Sequence, residues 1–227
     1  MRALLVLVLI GGAARASPWR GGAELRTDFP LDVGATLWAE GRGRVQLSLG
    51  VGWLPGTYVD AIGTTVVAFG GMTKAQAELV RVALDSSAVA RAHVGWRPFP
   101  SRGFYVEGGY GMLALGGGAT TSELITAVTG ATPPSGSADR RYRVYSTLHM
   151  LDAELGWRWE LADNVTLRAA VGFTGTFAAS TDVRPDFMPS DPARQQIYTS
   201  MAAKKLDELY TSYVFTPTFT IASGWQF

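Results

Sequence analysis

The amino-acid sequence predicts an all-β fold: a closed antiparallel transmembrane β-barrel of about eight strands, with short amphipathic helices in the long extracellular loops. Three observations carry that prediction. Apolar residues recur at every second position in several separate stretches, and the connectors between those stretches alternate between short and long. The chain also closes on such a stretch, Phe219-Thr-Ile-Ala-Ser-Gly-Trp225-Gln-Phe227, which puts Phe219, Ile221, Trp225 and Phe227 on one face. Successive side chains of a strand point to opposite faces, so this period of two marks a strand with one apolar side.

The clearest strands are Arg44 to Trp53 and Val165 to Phe177. In the first, Val45, Leu47, Leu49, Val51 and Trp53 oppose Gln46, Ser48, Gly50 and Gly52; in the second, Val165, Leu167, Ala169, Val171, Phe173 and Phe177 oppose a threonine-rich face with Arg168. Weaker alternation predicts strands near 20–28, 31–39, 86–96, 103–114 and 143–159, and a final one over 212–227. Glu40 to Arg44, Arg97 to Arg102 and Glu160 to Asn164 are short turns, whereas 54–85, 115–142 and 178–211 are long. Short turns on the periplasmic side and long loops outside are the pattern of an outer-membrane barrel. An even strand count then requires the strand at 20–28, turning at Asp28-Phe-Pro-Leu-Asp32.

The loops carry helix signals. Thr73-Lys-Ala-Gln76 is a capping-box pattern ahead of Leu79 and Val80, and Thr120-Thr-Ser-Glu123 repeats it ahead of Leu124 and Ile125. Asp191-Pro192 offers an N-cap with proline at the first helical position, followed by an apolar stripe through Ile197, Met201, Leu206 and Leu209. One amphipathic helix per long loop is expected. Their apolar faces either pack on one another and the rim as a cap or frame a site for an apolar ligand, with Leu79, Val80, Leu124, Ile125, Met201 and Leu209 as its lining.

Residues 1–16 read as a secretory signal peptide, with Arg2, an apolar run through Ile10 and small residues at Ala14 and Ala16. The remainder, 17–227, is expected to be one barrel domain. The run is about half the length of a membrane-anchoring helix. Loss of Arg2 and Arg15 brings 20 basic residues to 18 against 19 acids, so nothing suggests a nucleic-acid partner. Cys is 0, which excludes disulfides, thiolate metal sites and cysteine nucleophiles. No cofactor and no metal site is expected.

The terminal segment resembles the closing strand of bacterial outer-membrane barrels, whose final phenylalanine and alternate aromatic or aliphatic residues are read by the barrel-assembly machinery. Together with the leader, strand period and loop asymmetry it makes the chain similar to small eight-stranded barrels such as the OmpA transmembrane domain, OmpX and OmpW. The resemblance implies an outer-membrane location, with outer-membrane lipid, lipopolysaccharide and the assembly machinery as partners. Lipid A deacylases of this architecture carry a serine two residues after a lipid-facing histidine. Here His149 is followed by Leu151, which departs from that pattern.

With the apolar faces on lipid, the lumen receives Arg91, His93, Glu107, Asp152, Glu154, Arg158 and Arg168. The turns place His93 opposite Glu107 and Arg168 diagonal to Glu154. Charges enclosed in so narrow a barrel must be paired. The expected role of this cluster is a plug. Its rivals are a narrow channel for small hydrophobic solutes and a lipid-modifying enzyme using His93 with Glu107. No serine is expected beside that pair.

Overall fold

The computed structural model describes residues 19–41, 43–68, 70, 73–74, 77–78, 81, 86–129, 131, 139–161 and 164–227. The expected leader at 1–16 lies outside the described residues, as do Leu79 and Val80. The strands run in sequence order around one ring: β1 (Arg20–Phe29), β2 (Asp32–Glu40), β3 (Val45–Trp53), β4 (Ser86–Phe99), β5 (Phe104–Thr120), β6 (Arg141–Glu160), β7 (Val165–Pro185) and β8 (Phe215–Gln226). Each pairs antiparallel with the next, and β8 pairs with β1, so the sheet is a closed barrel. Closure leaves no strand with an unpaired edge, which is what lets a sheet sit in hydrocarbon.

The carboxyl-terminal run is the closing strand. Ala23 pairs with Trp225 and Phe29 with Phe219, and the Phe227 amide donates to the Gly21 carbonyl at 2.9 Å. At the β4–β5 turn Gly103 has φ +70, and a Cβ there would stand 2.1 Å from the Arg158 carbonyl oxygen, so both conformation and space demand glycine.

Alternation sorts the side chains as the pleat requires. Leu25, Leu49, Val51, Val94, Leu151 and Val171 are exposed on the outer wall. Exposed rings bound that band: Trp53, Tyr145, Phe177 and Phe215 at the loop end, Trp96, Trp157, Trp159, Trp225 and Phe227 at the turn end. Phe104, at the turn end, is only half exposed. Among the described residues no helix is long and apolar enough to cross a membrane.

The wall is lopsided. β1, β2 and β3 have 10, 9 and 9 residues, whereas β5, β6 and β7 have 17, 20 and 21 and stand well above the rest at the loop end. The alternation that predicts β5 and β7 ends at 114 and at Phe177, yet both strands continue past those points. The physical reason on β7 is a bulge: His149 pairs with Ala178 and Met150 with Thr176, leaving Phe177 unpaired. One extra residue inverts the faces, so the interior set moves from Thr174 and Thr176 to Val183.

Among the described residues, three continuous α-helices lie at the loop end: α1 (Gly56–Ala68), α2 (Thr121–Thr129) and α3 (Pro192–Tyr213). The signals for α2 and α3 act as anticipated. The Thr120 amide donates to Glu123 Oε2 at 2.7 Å and the Glu123 amide to Thr120 Oγ1 at 3.3 Å, a reciprocal capping box. Asp191 Oδ1 accepts from the Arg194 amide at 3.1 Å ahead of Pro192. Two elements differ from expectation. The first long loop carries α1, which the capping signals do not mark, in addition to helical backbone at Lys74, Ala77, Glu78 and Arg81. Tyr213, expected at the start of the last strand, instead ends α3.

Candidate functional site

The interior is built in two layers. Toward the turn end lies a lattice of charges on β1 to β7. Arg168 is 3% exposed and serves three carboxylates: its Nε lies 3.1 Å from Glu24 Oε2, and its Nη1 lies 3.3 Å from Glu107 Oε2 and 3.1 Å from Glu154 Oε1. Glu107 also accepts from Ser48 Oγ at 2.6 Å, and Glu154 from Tyr105 Oη at 2.9 Å. Arg158 donates to Gln46 Oε1 at 2.6 Å and stacks on the Trp38 ring with its guanidinium carbon 4.2 Å from the centroid. Trp38 therefore points inward, on the same face of β2 as Asp32 and Thr36.

A second knot sits nearer the loops. Arg91 binds Asp28 and lies 3.7 Å from Asp32 and 3.6 Å from Asp152, while Arg26 donates to Asp32 at 2.8 Å. Asp152 is held further by His93 Nε2 at 3.1 Å and by Thr174 Oγ1 at 2.6 Å. Arg97 pairs with Glu40 at 2.7 Å near the turn end. Such charges persist in a low-dielectric interior only when each is surrounded by partners.

The seven residues named from the sequence all face this interior. Arg168 meets Glu154, but the expected opposition of His93 and Glu107 is not formed. The ladder pairs His93 with Gly109 and Gly95 with Glu107, and the imidazole bonds to Asp152 instead. A Cβ on Gly109 would come within 2.1 Å of His93 Cδ2, so that glycine makes room for the ring. The ladder also sets Ser48 opposite His93, a neighbour the sequence pattern does not place. Its hydroxyl donates to Glu107, so Ser48, His93 and Asp152 do not form the proton relay that activates a serine. Glu24, Arg26, Asp28, Asp32, Glu40 and Arg97 join the lattice without having been expected there. Glu24, Arg26 and Asp28 alternate with Ala23, Leu25 and Thr27, which is the available signal.

Above the charges the interior turns apolar. Val89, Leu113, Leu115, Val144, Leu148 and Met150 point in from β4, β5 and β6, and Leu124 of α2 with Ala202, Leu206 and Tyr210 of α3 pack onto them. Leu124, Val144 and Leu206 are fully buried. Val59 joins this core from α1, whose Tyr58 ties the helix to the short side of the wall through a 2.6 Å hydrogen bond to Thr27 and an edge contact with Phe29 at 5.0 Å between centroids. Burial pushes the Tyr210 phenol up to about 12, and burial with Tyr142 alongside pushes Tyr198 up to about 12, so both stay neutral in the cap.

The described residues of the expected apolar ligand lining differ in exposure. Leu124 and Leu209 are core residues, Ile125 is half-buried, and Met201 is 55% exposed on the outer face of α3 beside Ile197.

No family model matches the chain, and no curated protein matches it. Among solved structures it is similar to CarO2 of Acinetobacter baumannii, with 13% identity over 93% of this chain and 99% of that one at a TM-score of 0.44. It is similar also to a major outer membrane protein from Thermus thermophilus, with 13% identity, coverages of 92% and 98% and a TM-score of 0.48. A third is the N-terminal β-barrel domain of Pseudomonas aeruginosa OprF, with 10% identity, coverages of 92% and 96% and a TM-score of 0.38. The fold assignment rests on the closed strand ladder, not on these likenesses.

Proposed function

We propose that this protein is a non-enzymatic barrel of the bacterial outer membrane, closed to ions through its centre, that carries a helical cap on the cell exterior. The observation behind this reading is the stacking of two different seals. The charge lattice fills the lower lumen with groups committed to one another, and the apolar layer above it would strip the hydration shell from any ion. A channel of this width would need a continuous polar path. The wall supports the membrane reading, since its outward side chains are apolar between two rings of aromatics. Phe219, Ile221, Trp225 and Phe227 all face outward, where assembly machinery can read them.

Two measurements test the two halves of the proposal. Purified barrel in planar lipid bilayers should show no steady conductance; reproducible ion flow through the wild-type protein would overturn the closed lumen. Leu49, 65% exposed at the middle of β3, marks the wall. An arginine there should destabilise the folded barrel in lipid vesicles by about 2–4 kcal/mol, read from urea unfolding. A loss below about 1 kcal/mol would put that wall outside the hydrocarbon.

A further inference from the structure

The apolar band of the tall wall holds a hydrogen-bonded pair that contact with hydrocarbon does not require. Among the described residues, no Asp, Glu, Lys or Arg side chain faces outward between the aromatic rings. His149 on β6 does face outward, and Tyr110 Oη on β5 lies 2.5 Å from its Nδ1. Phe177 of β7 stands beside them, 6.2 Å from His149 and 6.5 Å from Tyr110 between centroids. His149 is eight residues from Trp157 of the turn-end ring on the same strand. That spacing corresponds to about 20 Å of membrane thickness for a tilted strand, inside a band about 25 Å tall.

In either tautomer the pair keeps one donor and one acceptor unused. If the phenol donates to Nδ1, Nε2–H is the spare donor and Oη the spare acceptor. If Nδ1–H donates to the phenol oxygen, the phenol hydrogen is the spare donor and Nε2 the spare acceptor. Neither has a protein partner among the described residues, and Nε2 is not enclosed by the wall. Hydrocarbon offers nothing to bond, and a lipid ester carbonyl only accepts, so lipid leaves half of the pair unsatisfied.

A second copy of the chain supplies both halves. Two barrels in one membrane share one orientation, so a two-fold axis relating them runs along the membrane normal and each residue meets its counterpart at its own depth. Tyr110 and His149 are bonded to each other and lie at one depth. The spare donor of each copy therefore meets the spare acceptor of the other, and two reciprocal bonds close a ring of four side chains.

The surrounding face allows that approach. Ala114, Thr147 and Ser180 form one outward row across β5, β6 and β7, and Gly108 with Ala153 lies in another. Small residues let two surfaces pack closely, which is what drives association in lipid. Arg143 and Arg184, above the band, are each paired with a carboxylate, Asp186 at 2.9 Å and Asp182 at 2.6 Å, so these four groups bring no net charge to the face. The 17, 20 and 21 residues of β5, β6 and β7 present at most about 900 Å² of wall, against about 800 Å² per partner in a standard interface. The short strands β1 to β3 present about half as much.

We propose that this protein forms a two-fold dimer through its β5–β6–β7 wall, with the Tyr110–His149 pair of each copy bonded to that of the other. The dimer rests on the membrane-embedded wall proposed above and not on the closed lumen, so conductance leaves it untouched. Failure of the wall would show in Leu49→Arg, whereas failure of the dimer would not.

Because Cys is 0, a single introduced cysteine reports the contact. In lipid vesicles at a low protein-to-lipid ratio, a short bis-maleimide should join two copies of Thr147→Cys, two residues above His149 on the same outward face. It should leave Leu37→Cys single, since Leu37 faces outward on β2, across the ring from β6. Adding His149→Phe or Tyr110→Phe to Thr147→Cys should weaken association about tenfold, the worth of two such bonds in a membrane, read by titrating the protein-to-lipid ratio. Heat-dependent gel mobility reports whether each variant is folded, and either one serves if the other is not. Equal joining of Thr147→Cys and Leu37→Cys, no joining of Thr147→Cys at any ratio, or undiminished association in the folded His149→Phe and Tyr110→Phe variants would each overturn the dimer.

Discussion

Replacing Arg168 with methionine should cost the barrel about 3–5 kcal/mol, the largest effect expected of any single substitution in the lumen. The guanidinium lies within 3.3 Å of Glu24, Glu107 and Glu154 at once, and all four side chains sit inside the ring. Methionine fills similar space but leaves three carboxylates facing one another without their shared cation. Arg158 lies 3.5 Å from Glu24 and can compensate only that one. Lysine at 168 should recover only part of the loss, because an ammonium is a point charge and cannot fork between carboxylates as a planar guanidinium does. Urea unfolding of the refolded protein in lipid vesicles, followed by tryptophan fluorescence, measures all three forms. A stability for Arg168→Met within about 1 kcal/mol of wild type would mean that the lattice is ornamental, with water able to replace the missing cation.

Leu206→Ala should be the second largest, at about 2–5 kcal/mol, and it should act on a different part of the molecule. Leu206 is fully buried where α3 meets the inward face of the tall strands. Removing most of its side chain leaves a cavity that a helix pinned at both ends cannot collapse into. The chain enters α3 from β7, which ends at Pro185, and leaves it directly into β8, which starts at Phe215, so both ends are tied to the ladder. The closed ladder owes nothing to this leucine, so the damage should stay local. Hydrogen exchange should show α3 amides losing about a hundredfold of protection while β1 to β8 keep theirs, since about 3 kcal/mol corresponds to that factor. Equal losses in helix and ladder would show that cap and wall fold as one unit.

The pairings inside the lumen illustrate where sequence reasoning reaches its limit. Arg168 and Glu154 belong to one hairpin with a short turn, and their meeting follows from counting outward from that turn. His93 and Glu107 also flank a short turn, but that turn is centred between residues 101 and 102, with Phe99 opposite Phe104, rather than at residue 100, so even after the irregularity between Trp96 and Phe99 the ladder sets His93 opposite Gly109. Contacts such as Thr220 with Asp28, 192 residues apart, arise only because β8 closes on β1. No local pattern encodes them. The unpredicted α1 has a related cause: it lacks a charged cap and a clean apolar stripe, and it is held by Tyr58 against Thr27 and by Val59 in the core rather than by its own propensity.

By itself the sequence determined the strand period, the outward face of the wall, the alternation of turns with long loops and the capped starts of α2 and α3. Each of these depends on residues within about one strand or helical turn of one another, where pleat and cap geometry act directly on the chain. Only the tertiary structure decided which carboxylate meets which guanidinium, that an apolar layer lies above the charges, and that β7 bulges at Phe177 and inverts its faces beyond it. Those depend on the tilt and stagger with which the strands close the ring, a property of the whole sheet that no single strand carries.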